Sequence, residues 1–353
     1  MLKLPGLIDP HVHMREPGAV HKEDWESGTK AGLAGGFTTL LAMPNTEPAI
    51  TSGSALQLVE KTANQKAYTD FGHFMGAGPV NAEEVSRLAT RAVGLKMYLD
   101  QTYGSLRLDD FSIWQEHFLR WPGKSPIAVH AEGRSLPAVL MMSLLYDKPV
   151  HICHVARRKE ILLIRFAKEK GVRVTCEATP HHLFLTENDI QPALKGKWEV
   201  RPRLASPEDR EALWTNLRVI DCFATDHAPH TLIEKESDEP PPGFPGLETA
   251  LLLFSEAIKE GRLSFAELIE KMHTNPARIF NLPDQKNTWI EFDPEPIREI
   301  TARDMFTRCG WTPFEGWQVH GQLTRVVLHD ETVFENGEIS GKPGFGRNVK
   351  LTN

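Results

Sequence analysis

Eight short apolar runs alternate with helix-like stretches over about 250 residues, and polar residues gather at the ends of seven of the runs. Both observations predict an α/β fold, a (β/α)8 TIM barrel whose strands are buried on both faces and whose chemistry sits at their carboxyl ends. An open doubly wound sheet is the structural alternative. No glycine-rich GxGxxG turn follows the first run, which weakens a dinucleotide-binding version of that sheet.

In order, the runs are Leu4 to His13, Gly36 to Pro44, Asp70 to Ala77, Gly94 to Leu99, Pro126 to His130, Val150 to Val155, Val172 to Glu177 and Asp221 to Asp226. The third is the weakest because it carries polar residues. Between them, Lys22 to Leu33, Ser54 to Lys66, Asn81 to Arg91, Asp109 to Arg120, Arg134 to Tyr146, Arg157 to Lys170 and Ser206 to Leu217 read as helices. Leu56, Val59 and Ala63 fall at helical spacing, and Asn81 stands where an N-cap would. Ser206-Pro207-Glu208-Asp209 is a helix start: cap, proline, then acids in the first turn. Pro137 lies near its helix start, where proline is tolerated.

At the first strand end, Asp9-Pro10-His11-Val12-His13 puts two imidazoles on one side of an extended segment, able to grip one metal ion. Asn45, Lys96, His130, His154, Glu177 and Asp226 lie at or near the ends of later strands. One mouth would collect them all. Lys96 stands out, because an ammonium inside a buried apolar strand is costly. A neutral amine can instead take up carbon dioxide, giving a carbamate whose two oxygens can bridge two metals. The ordinary alternative is a lysine that snorkels to the barrel mouth or pairs with an acid.

These motifs resemble those of the dihydroorotase family in the amidohydrolase superfamily, in particular the dihydroorotase domains of multifunctional animal proteins of pyrimidine synthesis. Asp9-Pro10-His11-Val12-His13-Met14-Arg15-Glu16-Pro17-Gly18 matches one signature of the family, and Ala224-Thr225-Asp226-His227-Ala228-Pro229-His230, with Lys235 following, matches the other. The segments around Lys96, His130, His154, Pro242 and Trp311 are similar too, so the resemblance covers essentially the whole chain.

The resemblance implies two zinc ions, bridged by N6-carboxylated Lys96 and a hydroxide. His11, His13 and Asp226 would hold one zinc, and His130 and His154 the other. Asp226 would also be the general acid and base in the reversible closure of N-carbamoyl-L-aspartate to L-dihydroorotate. Arg15, Asn45, Arg201 and His230 would bind substrate, with Pro242 and Gly243 shaping the rim. Asp100 to Leu108 would be a lid carrying Thr102 and Tyr103; the animal domain has phenylalanine where Tyr103 stands. Cys153 and Glu177 would support His154 from behind the first ligands or hold a third zinc. The rivals are another cyclic amidohydrolase, allantoinase-like or hydantoinase-like, and a non-catalytic scaffold of the same fold.

A formal net charge of -7, with no basic run interleaved with aromatics, points away from nucleic acid. Four cysteines without tight pairing, no secretory signal and no long apolar span point to the cytoplasm and away from a membrane. Cys176 and Cys222 read as small buried hydrophobes. Residues 4–284 form the expected barrel, and 285–353 with 1–3 a small β annex, in which 323–334 and Glu335-Asn336-Gly337 look like a hairpin. The start so close to His11 suggests one domain of a larger polypeptide, beside carbamoyl-phosphate synthetase and aspartate transcarbamoylase; the resemblance also implies a homodimer.

Overall fold

The computed structural model describes residues 1–351. Its first strand, β1 (Leu2–Pro5), belongs to a side sheet; eight parallel strands then follow in chain order around a nearly closed barrel. They are β2 (Leu7–Val12), β3 (Phe37–Ala42), β4 (Asp70–Gly76), β5 (Gly94–Tyr98), β6 (Ile127–His130), β7 (Val150–Ile152), β8 (Val174–Ala178) and β9 (Cys222–Phe223). Apart from Thr175, every residue of these strands is buried, as continuous apolar runs require. Helices wrap the outside and start where the sequence provides caps. Asp24 accepts from Ser27 N, Ser52 from Ala55 N, Asp110 from Ser112 N and Ser206 from Asp209 N.

Asn81 does not cap. Its Oδ1 accepts from Gly78 N at 2.7 Å and its Nδ2 donates to Thr51 O and Gly76 O. A side chain with both donors and an acceptor is more useful there, tying down the loop after β4. The helix it was expected to start is short (Ala82–Arg87) and continues as a 3-10 turn over Ala89–Arg91.

The first predicted run is two strands. Gly6 divides it, because a Cβ there would meet Thr38 Oγ1 at 2.2 Å, and the chain crosses between sheets at this close approach. Leu4 and Pro5, grouped with 4–284 on sequence, pair with Ile290 and Trp289 of the side sheet. The eighth run keeps only two paired residues, Cys222 and Phe223, before the backbone turns away. The seam is closed by other means: Val12 bridges His227, and His13 N donates to His227 O at 2.8 Å. Buried Asp9 locks the same seam, accepting from His11 N, Thr225 N and Thr225 Oγ1.

The annex is an antiparallel sheet in the order β1-β10-β11-β12-β13, with β10 (Trp289–Glu299), β11 (Gln318–Leu328), β12 (Glu331–Glu335) and β13 (Glu338–Ile339). It holds two tight hairpins where one was expected. His329-Asp330 (φ 52 and 68) and Asn336-Gly337 (φ 49 and 91) each place two residues in the left-handed region that tight hairpins need. The chain then returns to the barrel, with Phe71 N donating to Arg347 O and Val349 N to Phe71 O. The last two residues of 285–353 lie outside the described residues. Among those described, no helix is long and apolar enough to cross a membrane.

Candidate functional site

Alternation along β2 and its continuation sends His11 and His13 to the same side, with ring centroids 5.4 Å apart. Their Nε2 atoms both face Asp226 Oδ1, at 3.2 and 3.1 Å. The far nitrogens are occupied: His11 Nδ1 donates to Glu177 Oε1 at 2.5 Å and His13 Nδ1 to Asn45 Oδ1 at 2.7 Å. Both bonds orient the rings so that each Nε2 points into the cavity; burial and Lys96 oppose a charge on His11, but Glu177 and Asp226 outweigh them and raise its pKa to about 10. Across the mouth, His130 Nδ1 lies 3.1 Å from His154 Nε2, and His154 Nδ1 is buried with no partner among the described residues. Imidazole nitrogens converging on a carboxylate, with one nitrogen orphaned among the described residues, suit divalent cations.

Burial opposes ionisation of Asp226, but His11 and His13 outweigh it and hold the carboxyl well below the usual carboxylate range. It is therefore an anion in this setting. Lys96 is fully buried; its Nζ lies 2.9 Å from Cys153 Sγ and 5.0 Å from the Tyr98 ring, with no carboxylate paired to it among the described residues. An unpaired buried ammonium is strongly unfavourable, so the site suits a modified amine better than a free one. Glu177, also buried, accepts from His11 Nδ1, His151 Nε2 and His154 N. His11, Cys153 and Glu177 each offer a donor atom within 4.8 Å of the others.

Three site residues, Arg15 (φ 57), His154 (φ 35) and Asp226 (φ 46), have left-handed backbone. Each such residue costs about 1–3 kcal/mol, which the seam and the strand ends must offset. Gly243 (φ 145) could carry no side chain, since a Cβ would lie 2.4 Å from Ala228 O.

The cavity above these groups holds about 20 Å³, room for a water molecule. Its wall includes His11, His13, Arg15, Asn45, Thr102, Tyr103, His130, His154, Arg201, Asp226, Pro242 and Gly243. Lys96, Cys153 and Glu177 lie outside this wall, linked to it through Tyr98 and His11, and His230 stands beside Arg15. Arg15 Nε donates to Pro229 O, Nη2 lies 3.0 Å from His230 Nε2, and Nη1 is buried without a partner among the described residues. Burial, then Arg15 and Lys22, keep His230 far below the imidazole range, so it is neutral. Arg201 is paired with Glu199.

The segment after β5 is folded over the cavity. Tyr103 Oη accepts from Lys22 Nζ at 3.1 Å, its ring meets His230 edge-on at 5.0 Å, and Asn45 Nδ2 reaches Tyr103 O at 3.4 Å. Asp100 holds the base of the lid by accepting from Glu132 N and Ser135 Oγ. Outside the lid is a cleft of about 590 Å³. Asn45 therefore supports a histidine and the lid as well as facing the cavity. Sequence reasoning missed Lys22, Glu132, His151 and Tyr98. Only Tyr98 carried a signal, two residues after Lys96 and so on the same strand face.

A family model described as dihydro-orotase-like matches residues 1–76. The chain is 53% identical over 350 residues to the multifunctional protein CAD of Squalus acanthias, covering 99% of this chain and 16% of that protein. It is 37% identical over 366 residues to a dihydroorotase of Pyrococcus furiosus, covering 98% of this chain and 85% of the relative. Among solved structures, an inactive dihydroorotase-like domain of a Chaetomium thermophilum CAD-like multifunctional protein superposes with a TM-score of 0.85 at 27% identity, covering 99% of both chains. An L-hydantoinase from Arthrobacter aurescens gives a TM-score of 0.93 at 24% identity, covering 99% of this chain and 88% of the other; that likeness concerns the fold.

Proposed function

Since this chain belongs to the dihydroorotase family, we propose that it interconverts N-carbamoyl-L-aspartate and L-dihydroorotate, a step of pyrimidine synthesis. The observation that carries the reading is the meeting, in one cavity, of a histidine-carboxylate cluster with the buried Nη1 of Arg15, which is unpaired among the described residues. A buried guanidinium edge without a partner calls for an anion, and the substrate brings a carboxylate. Hydantoin offers none, which disfavours that rival. A scaffold without activity would have no need of an intact ligand set around three strained residues.

His11, His13 and Asp226 would hold one zinc, His130 and His154 a second, and carboxylated Lys96 would span the two. The neutral amine and carbon dioxide give the carbamate and release one proton. When bound, the metals lower the pKa of water and polarise the substrate carbonyl. Asp226 takes a proton from the attacking water and delivers it to the ring nitrogen as the carbon–nitrogen bond breaks; closure runs the same path backwards. Arg15 orients the substrate through its carboxylate, with neutral His230 and Asn45 beside it, while Arg201, Pro242 and Gly243 bound the other wall. Glu177 fixes the ring of His11, and Cys153 lies against Lys96; both support the ligands from behind. Thr102 and Tyr103 close the lid and exclude water.

Neighbouring carbamoyl-phosphate synthetase and aspartate transcarbamoylase domains fit a chain that spans 16% of its multifunctional relative. A homodimer fits the exposed Met141, Leu144 and Leu145 on one helix and Phe166 on the next. Four unpaired cysteines suit the cytoplasm.

The purified chain should carry about two zinc ions and hydrolyse dihydroorotate. Elemental analysis and a dihydroorotate assay test this together. Zinc-loaded protein inert on dihydroorotate but active on hydantoin would overturn the substrate. Tyr103→Phe removes the hydroxyl that receives the Lys22 proton, worth about 1 kcal/mol, so KM should rise roughly fivefold with zinc unchanged. An unaltered KM in steady-state kinetics would remove that bond from lid closure.

A further inference from the structure

The polar atoms around the cavity are mostly paired within the protein. His13 is engaged by Asn45, Arg201 by Glu199, and His230 by Pro242 O. Two are not. Arg15 Nη1 and Tyr98 Oη are buried and have no hydrogen-bond partner among the described residues, and both residues line the same small space. Buried hydroxyls are nearly always paired, so an exception inside a cavity points to the molecule that will occupy it.

Position distinguishes the two groups. Tyr98 follows Lys96 by two residues on β5 and shares its face, one strand repeat of about 6.6 Å closer to the mouth. It pairs in register with His130 on β6, with ring centroids 6.5 Å apart. Tyr98 thus lines the same cavity as the proposed ligands His11, His13, His130, His154 and Asp226. Arg15, a permanent cation, matches the substrate carboxylate. A neutral phenol matches an oxygen on which negative charge grows during reaction.

Resting on the cyclic amidohydrolase reading above, we propose that Tyr98 is a catalytic residue whose hydroxyl donates a hydrogen bond to the oxygen of the reacting carbonyl. No proton changes owner in this contact. As water adds to the carbonyl carbon, the carbon–oxygen π pair moves onto that oxygen, and the Tyr98 hydroxyl stabilises the charge. When the carbon–nitrogen bond breaks, the pair returns. The contact tightens as charge develops, so it acts on kcat more than on KM.

The test is Tyr98→Phe in the zinc-loaded full chain, which removes one oxygen and keeps the ring. We expect kcat for dihydroorotate hydrolysis to fall by about 10²-fold, as on loss of one oxyanion donor. KM should change little, zinc content should match wild type, and the thermal midpoint should hold or rise because an unpaired buried hydroxyl has gone. A kcat within twofold of wild type overturns the proposal, whatever KM does. So does a fall in kcat accompanied by lost zinc or a lowered midpoint, which would mark a structural role. Wild-type protein inert on dihydroorotate would sink the parent reading, and this proposal with it; active wild type with an indifferent Tyr98→Phe sinks only the proposal.

Discussion

Asp226→Asn should lower turnover by about 10²–10⁴-fold, the range for loss of a positioned acid-base group, while the fold and much of the bound zinc persist. Asparagine has the same shape and keeps an oxygen facing His11 and His13. It is also one of the few residues that accept left-handed backbone readily, so φ 46 at this position adds no new strain. What the amide lacks is the ability to take up and release a proton. In the wild type, His11 and His13 keep the carboxyl ionised and ready to act as a base. Turnover should therefore separate from metal content: zinc by elemental analysis stays high while kcat collapses. A variant turning over within tenfold of wild type would mean that another group moves the proton.

Lys96→Ala should remove activity by at least ~10²-fold, since even partners behind the metal ligands cost 10–100-fold in affinity or activity when lost. The lysine is wholly buried beside Cys153 and unpaired with any acid among the described residues. If its role were packing alone, alanine would loosen the barrel but leave zinc bound. If the carbamate bridges two metals, alanine loses zinc, and a small carboxylate such as formate or acetate should restore part of both zinc and turnover. Mass spectrometry of the native wild type offers a direct check, as a gain of one carbon dioxide. Full activity of the alanine variant would exclude the bridge.

The apolar runs made the barrel legible because strands buried on both faces show no alternation to confuse with surface. Strand ends then pointed to the candidate metal ligands, and the His11-Val12-His13 spacing gave the common side of the two histidine rings. Three things were not legible. Gly6 hides a change of sheet inside one apolar run, since sequence records apolarity and not which sheet receives it. Asn81 has the side chain of a cap, yet the loop after β4 claims its donors and acceptor. The support network is also silent: Lys22 touches Tyr103 and His230, and His151 touches Glu177, through contacts between residues far apart in the chain. The fold contributes those contacts, and no local pattern marks them.

The side sheet has a bearing on how the molecule is made. Leu2 pairs with Phe292 and Lys3 with Glu291, so β1 finds its neighbour only after β10, far along the chain, has been synthesised. Until then it is an orphan ribbon with unpaired amides, the kind of edge that recruits strangers. The barrel strands, each beside its neighbour in chain order, pair without it, whereas this clasp is a long-distance one, the kind of contact that slows folding.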